Sequence, residues 1–204
     1  MEDFRLFLPK FLSATFSEEL FAALKSFPDN IDSRFFTDYL KDKPILFQGD
    51  GIRDLPLVDF NNRSFQEAKT LIVSNTCDTD PANTRQFASY ATYAPIYSLT
   101  KWESLLKSKK DSSSHKAIDD HINAIRSQKV TQFFYLPKKG DFEESFVRLD
   151  TLFSIPTTQI PSESIASRRI FTLSNYGFYV LLFKLSLHFS RVQDGVDRNI
   201  EQIP

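Results

Sequence analysis

Lys69-Thr70-Leu71-Ile72-Val73-Ser74-Asn75 is the stretch on which the fold turns. Leu71, Ile72 and Val73 are continuous and apolar, with polar residues on either side. That pattern predicts a strand over Thr70 to Ser74, buried on both faces. The next stretch, Asn75 to Arg85, is rich in Asn, Thr, Asp and Pro and predicts a loop. Phe87 to Tyr97 is aromatic and β-prone, an antiparallel partner for the first strand. Upstream, Ile45-Leu46-Phe47 is a short apolar run, Gly49-Asp50-Gly51 a turn signal, and Leu55 to Phe60 a further strand. Downstream, Val130 to Leu136, Phe146 to Phe153 and Ile170 to Leu173 read as strands. In the second of these, Phe146, Arg148 and Asp150 alternate with Val147, Leu149 and Thr151.

Helical signals surround and interrupt these strands. Leu20, Phe21, Leu24 and Phe27 follow Ser17-Glu18-Glu19 at helical spacing, and Pro28 ends the run. Asp32 is placed to cap a second short helix with Phe35, Phe36, Tyr39 and Leu40 as its apolar face. Thr100 and Glu103 form a capping-box pattern ahead of Leu105 and Leu106. Lys107 to Lys116 reads as a solvated connector, and Lys116 to Gln128 as a helix with Ile118, Ile122 and Ile125 on one face. Ser174 caps a long helix to about Arg191, with Phe178, Leu181, Leu182, Leu185 and Phe189 toward the core. Phe4 to Leu12, broken by Pro9, reads as an edge strand or loop, and the tail after Asp194 is polar. The order predicts an α+β fold, a small barrel or a strongly bent antiparallel sheet. It has N-terminal helices, a helical insert and a long C-terminal helix. One domain over 1–204 is expected: an extension at 1–43, strands within 44–98 and 130–173, the insert at 99–128 and the last helix at 174–192.

Composition narrows the function classes. Lys and Arg number 25 against 26 Asp and Glu, for a formal charge of −1. A broad phosphate-coating surface is therefore excluded, and RNA or DNA is left only a local basic patch. Membrane-surface binding is disfavoured on the same ground. The 41% hydrophobic residues, 21 of them Phe, suffice for a sizeable core. Cys77 is the single cysteine, which forbids an intramolecular disulfide and points to a reducing compartment. Met1 to Arg5 carries no signal-peptide pattern, and Tyr176 to Phe189, interrupted by Lys184 and His188, is too short to span a bilayer. A cytoplasmic protein is the expectation.

The chemical motifs are sparse. His115, His121, His188 and Cys77 do not make a zinc set, and Asp78 and Asp80 around Thr79 are only a fragment of a calcium loop. None of the five glycines falls in a phosphate-binding motif, and neither metal nor cofactor is expected. Cys77, at the end of the strongest strand, is a candidate nucleophile if His121 or His188 reaches it. Lys107, Lys109, Lys110 and Lys116 form one basic cluster and Arg168-Arg169 another. Tyr90, Tyr93, Tyr97, Phe133, Phe134 and Tyr135 supply aromatics near them.

Phe47-Gln48-Gly49-Asp50-Gly51-Ile52, with Leu57-Val58-Asp59-Phe60, resembles the opening Gly-Asp turn and first strands of the MazF/PemK-like toxin barrels, an SH3-like fold. Lys69 to Asn75 is similar to that family's second strand and Tyr93-Ala94-Pro95-Ile96-Tyr97-Ser98 to its next. Val147 to Leu152 is loosely similar to a later one. The resemblance covers Ile45 to Ser98 and fragments beyond. It implies a toxin–antitoxin or phage-defence setting, and a metal-independent endoribonuclease as one activity. The chain departs at two positions that matter: Lys69 stands in place of an Arg, without its bidentate fork, and Tyr97-Ser98 in place of a catalytic Thr. A second resemblance, to uncharacterised bacterial and phage proteins with a Ser-x-x-Cys-Asp strand end, rests on three stretches: Ile72 to Asp78, Phe134 to Pro137, and Leu173-Ser174 with a helix ending Phe189-Ser190-Arg191. It implies no activity.

Three readings follow, in order. The first is a binding or regulatory module with a protein partner. The second is a divergent endoribonuclease using Lys69 and Ser98, with Arg53 or Arg85 on phosphate. The third is a cysteine enzyme using Cys77 and Asp78. Asn75 and Arg191 join the candidate binding residues, and self-association is compatible with all three.

Overall fold

The computed structural model describes residues 22, 25–28, 31–59, 61–83 and 86–190. The run at Phe4 to Leu12, most of the helix expected before Pro28, Arg85, Arg191 and the tail after Asp194 lie outside those residues. Among the described residues eight strands form one antiparallel sheet: β1 (Phe36–Thr37), β2 (Asp50–Asp59), β3 (Ser64–Ile72), β4 (Tyr90–Ser98), β5 (Phe133–Leu136), β6 (Ser145–Arg148), β7 (Phe153–Pro156) and β8 (Arg169–Leu173). Their order is β1-β8-β2-β3-β4-β6-β5, with β7 also on β4. The sheet ends at β1 and β5 and does not close into a barrel. Five helices accompany it among the described residues: α1 (Thr76–Thr79), α2 (Leu99–Ser108), α3 (His115–Arg126), α4 (Ser162–Arg168) and α5 (Asn175–Phe189). No described helix is long and apolar enough to cross a membrane.

Alternation along the strands sorts the core by face. Leu71, Ala94, Phe134, Val147, Phe171 and Leu173 enter one cluster, covered by Tyr176, Val180 and Leu181 of α5. Their neighbours point the other way. Ile52, Leu55, Leu57, Ile72, Ala91 and Tyr93 form a second cluster with Ile165 of α4. Phe133, Tyr135 and Phe146 form a third with Ile118, Ile122 and Ile125 of α3. One face is thus covered by α5 and the other by two separate helical covers.

Several expected boundaries are corrected. Asp32 does cap a short helix, its Oδ1 accepting from the Arg34 N–H at 2.9 Å, but that helix is only the 3-10 turn Ser33–Phe35 leading into β1, and Tyr39 is exposed. Ser98, rather than Thr100, caps α2, accepting from the Lys101 N–H at 3.3 Å. The connector from Lys107 is shorter than expected, because α2 runs to Ser108 and α3 begins at His115. Lys107 itself bridges Glu103 and Asp119, each at 2.7 Å. The strand expected over Phe146 to Phe153 is two strands, β6 and β7. On α5, buried Lys184 replaces Phe189 in the core-facing row, and Phe189 is exposed. The Arg168-Arg169 pair is not a basic patch: Arg169 forms a buried ion pair with Asp50 at 3.0 Å.

That ion pair organises the segment before β2. The Arg169 guanidinium donates to the carbonyls of Leu40, Lys41, Lys43 and Ile45. Asp50 accepts from Thr172 Oγ1 at 2.6 Å and from the Phe47 N–H at 2.9 Å. Each charge is therefore compensated by several hydrogen bonds, the condition for burying an ion pair without a large penalty. Gly49, at φ 89, makes the left-handed turn that aims Asp50 inward.

Candidate functional site

The β2–β3 ribbon leaves the sheet after a short shared stretch. Only Thr70, Leu71 and Ile72 of β3 pair with β4, opposite Pro95, Ala94 and Tyr93. Ser64–Lys69 has β2 as its only strand partner among the described residues. From Ile96 onward β4 instead pairs with β6, Ile96 opposite Val147. Tyr93 pairs with Ile72 of β3 and with Phe153 of β7, so β7 lies on the far side of β4. Between Val147 and Phe153, residues 148–152 stand against only 94–95 of β4 and form a bulge, within which Leu149 is buried in the core.

An open cleft of about 750 Å³ lies between ribbon and bulge. Leu57, Val58, Asp59, Asn61 and Gln66 line it from the ribbon, and Asp150 to Ser154 from the bulge, with Tyr97 between. Its volume is of the size that takes a small ligand or one anchoring side chain. The Tyr97 ring stacks on Phe146, centroids 5.6 Å apart, yet stays partly exposed. Burial raises its phenol above the usual range. Tyr93 donates its hydroxyl to the Pro56 carbonyl at 2.6 Å and stacks on Phe153, tying ribbon and bulge to the floor. Burial pushes the Tyr93 phenol up to about 12, so it remains a donor.

The rim carries two ionised carboxylates, one of them paired with an arginine. Hydrogen bonds from Asn62 and Asn61 hold Asp59 below its ordinary range. The bidentate Arg148 guanidinium, at 3.0 and 2.9 Å, does the same for Asp150. The lining contains no Lys or Arg.

The sequence-derived candidates fall at two ends of the β3–β4 pair. At one end, Asn75, Cys77 and Asp78 share a single turn: Asn75 Oδ1 caps α1 by accepting from the Cys77 N–H at 2.8 Å, and the Cys77 thiol is exposed. His121 packs edge-on against Phe133 and His188 against Phe189, on α3 and α5. At the other end, Lys69 is exposed and stands opposite a bulge. Ile52 pairs with Thr70 and Leu55 with Ala68, so Arg53 and Asp54 together oppose Lys69. Arg168 closes this bulge by donating to the carbonyls of Arg53 and Asp54. Ser98 donates to Glu143 Oε2 at 2.9 Å while capping α2. Arg85 and Arg191 lie outside the described residues. Among the described residues no three His, Cys, Asp or Glu side chains gather as a metal site.

Sequence reading missed the cleft. Its lining comes from ordinary strand residues such as Leu57, Gln66 and Phe153, whose meeting depends on where β3 parts from β4. The one signal was the Arg148-Leu149-Asp150-Thr151 stretch, whose polar alternation continued where a buried strand would have ended. No protein-family model and no curated protein matches the chain.

Proposed function

We propose that this chain is a binding module, and that its ligand is a polypeptide segment held in the cleft between the β2–β3 ribbon and the 148–152 bulge. The observation that carries this reading is the lining itself. An apolar floor of Leu57, Tyr97, Leu152 and Phe153 sits under a rim of Asp59, Asn61, Gln66 and Asp150, with no Lys or Arg in the lining and the neighbouring Arg148 committed to Asp150. A polyanion needs compensating Lys or Arg. An apolar or cationic side chain of a protein partner is suited to such a lining. The toxin–antitoxin or phage-defence setting rests on the resemblance of the central strands.

The ribonuclease reading keeps one observation in its favour: Arg53 and Lys69, both exposed, meet across a bulge whose Asp54 has φ 62. Bulges and strained residues recur beside active sites. Against it, Ser98 is engaged as a helix cap and with Glu143.

Two measurements separate the readings. A random nonapeptide phage library panned on the wild-type protein yields clones whose affinity falls about tenfold or more on Tyr97→Ala, as truncating a central anchor does. Wild-type protein and Lys69→Ala, incubated with total RNA in EDTA, should both leave the RNA intact. RNA cleavage by the wild type alone moves the ribonuclease to first place. Clones that bind Tyr97→Ala as tightly as wild type remove the cleft.

A further inference from the structure

The ribbon offers something besides a cleft. Ser64–Lys69 is six residues of strand, about 20 Å at roughly 3.4 Å per residue, paired on one side with β2. On the other side β4 has turned away to β6. The backbone N–H and C=O groups directed there are a template for another strand. The side chains along this edge are exposed except for half-buried Ala68, with Phe65 at 77%. The cleft begins at Gln66, in the middle of the edge, and runs to Tyr97 and Leu152 across the gap. Edge and cleft thus form one surface.

Resting on the binding-module reading, we propose that the partner supplies an extended segment of about six residues that adds to the sheet as a strand along Ser64–Lys69. Its main chain pairs with β3. One side chain, apolar and central, enters between Leu57, Tyr97 and Phe153, while cationic flanking residues meet Asp59 and Glu67. This is recognition by strand addition: backbone bonds give affinity, and alternate side chains give specificity. The occupant is a partner rather than a second copy of this chain, since a copy paired through this edge would set the same carboxylate rim against itself. It is a polypeptide rather than a nucleic acid strand, because the lining has no Lys or Arg of its own, Asp59 faces it ionised, and Arg148 is already paired with Asp150.

The test uses the full chain and a designed probe: an end-blocked nonapeptide of alternating valine and threonine, with phenylalanine at its centre and lysine at both ends. In a strand added to an edge, one alternate set of peptide amides faces the neighbour and the other faces solvent. Saturable binding is expected by fluorescence anisotropy. N-methylation of one alternate set should weaken it at least tenfold, and N-methylation of the other should leave it unchanged. Alternate amides of Ser64–Lys69 should gain protection from hydrogen exchange. If both methylated peptides bind like the parent while Tyr97→Ala still weakens binding, the cleft stands and strand addition falls. If the nonapeptide does not bind at millimolar concentration, both fall. If the protein forms a dimer that the nonapeptide dissociates, the edge belongs to a second copy and the partner assignment is overturned.

Discussion

At the scale of single residues, two buried charges decide how firmly the frame is held. Asp50 and Arg169 are almost fully buried, and removing either leaves the other uncompensated. Burial pushes the Asp50 carboxyl up, while Arg169, Thr172 and the Phe47 N–H pull it down. Asp50→Ala should therefore destabilise by about 3–5 kcal/mol, the range for breaking a buried pair. A urea midpoint within error of wild type would refute that. The sequence disclosed neither role, because Arg168-Arg169 looks like a surface patch until a helix end and a strand start send the two side chains apart. Lys184 is the second case. Its amine, 1% exposed, donates to the carbonyls of Gln128 and Val130 at 2.9 and 2.7 Å, and burial lowers its pKa to about 8. An unfolded lysine keeps its proton to about 10.4. From about pH 8 to that value the unfolded chain holds a proton that the folded chain has released, so folding stability gains with rising pH. That gain should vanish in Lys184→Met. Tyr93, with a raised pKa, erodes stability only above about pH 10, where unfolded tyrosines ionise, so urea titrations over pH 8 to 9.5 isolate the lysine. Parallel wild-type and variant profiles would contradict the assignment.

At the scale of elements, local periodicity was a good guide wherever one face was simply apolar. Ile118, Ile122 and Ile125 are the buried row of α3, as their spacing predicts. Ser174 caps α5, its Oγ accepting from the Gly177 N–H at 3.2 Å. Periodicity failed where tertiary pairing set the boundary. Phe146 to Phe153 alternates like one strand, yet five residues standing against two of β4 divide it into β6 and β7. The docking of α5 also turns on something no hydrophobic pattern records. A Cβ on Gly177 would lie 2.3 Å from the carbonyl oxygen of Phe35, a backbone atom that cannot rotate away. Gly177→Ala improves helix propensity but forces α5 off the sheet, so it should cost about 1–3 kcal/mol, as overpacking does. A thermal midpoint equal to or above wild type would mean that α5 tolerates a shifted position.

At the scale of the whole molecule, the α+β class, the antiparallel sheet, the helical insert and the long last helix were legible from the order of the segments. The open edge was not: nothing in Ser64-Phe65-Gln66-Glu67-Ala68-Lys69 says that β4 will abandon it. The cleft was equally hidden, since its walls are some 30 to 90 residues apart in the chain and meet only through the register of β4 with β3, β6 and β7. The functional account therefore stands on one surface, and the backbone amide resonances of the protein can be followed across it. During titration with the phenylalanine-centred nonapeptide, the account predicts that the shifted resonances cluster at residues 57–69, at Tyr97 and at 150–154, with the rest of the sheet unmoved. Shifts confined to the turn holding Asn75, Cys77 and Asp78, or to the lysines between α2 and α3, would contradict it.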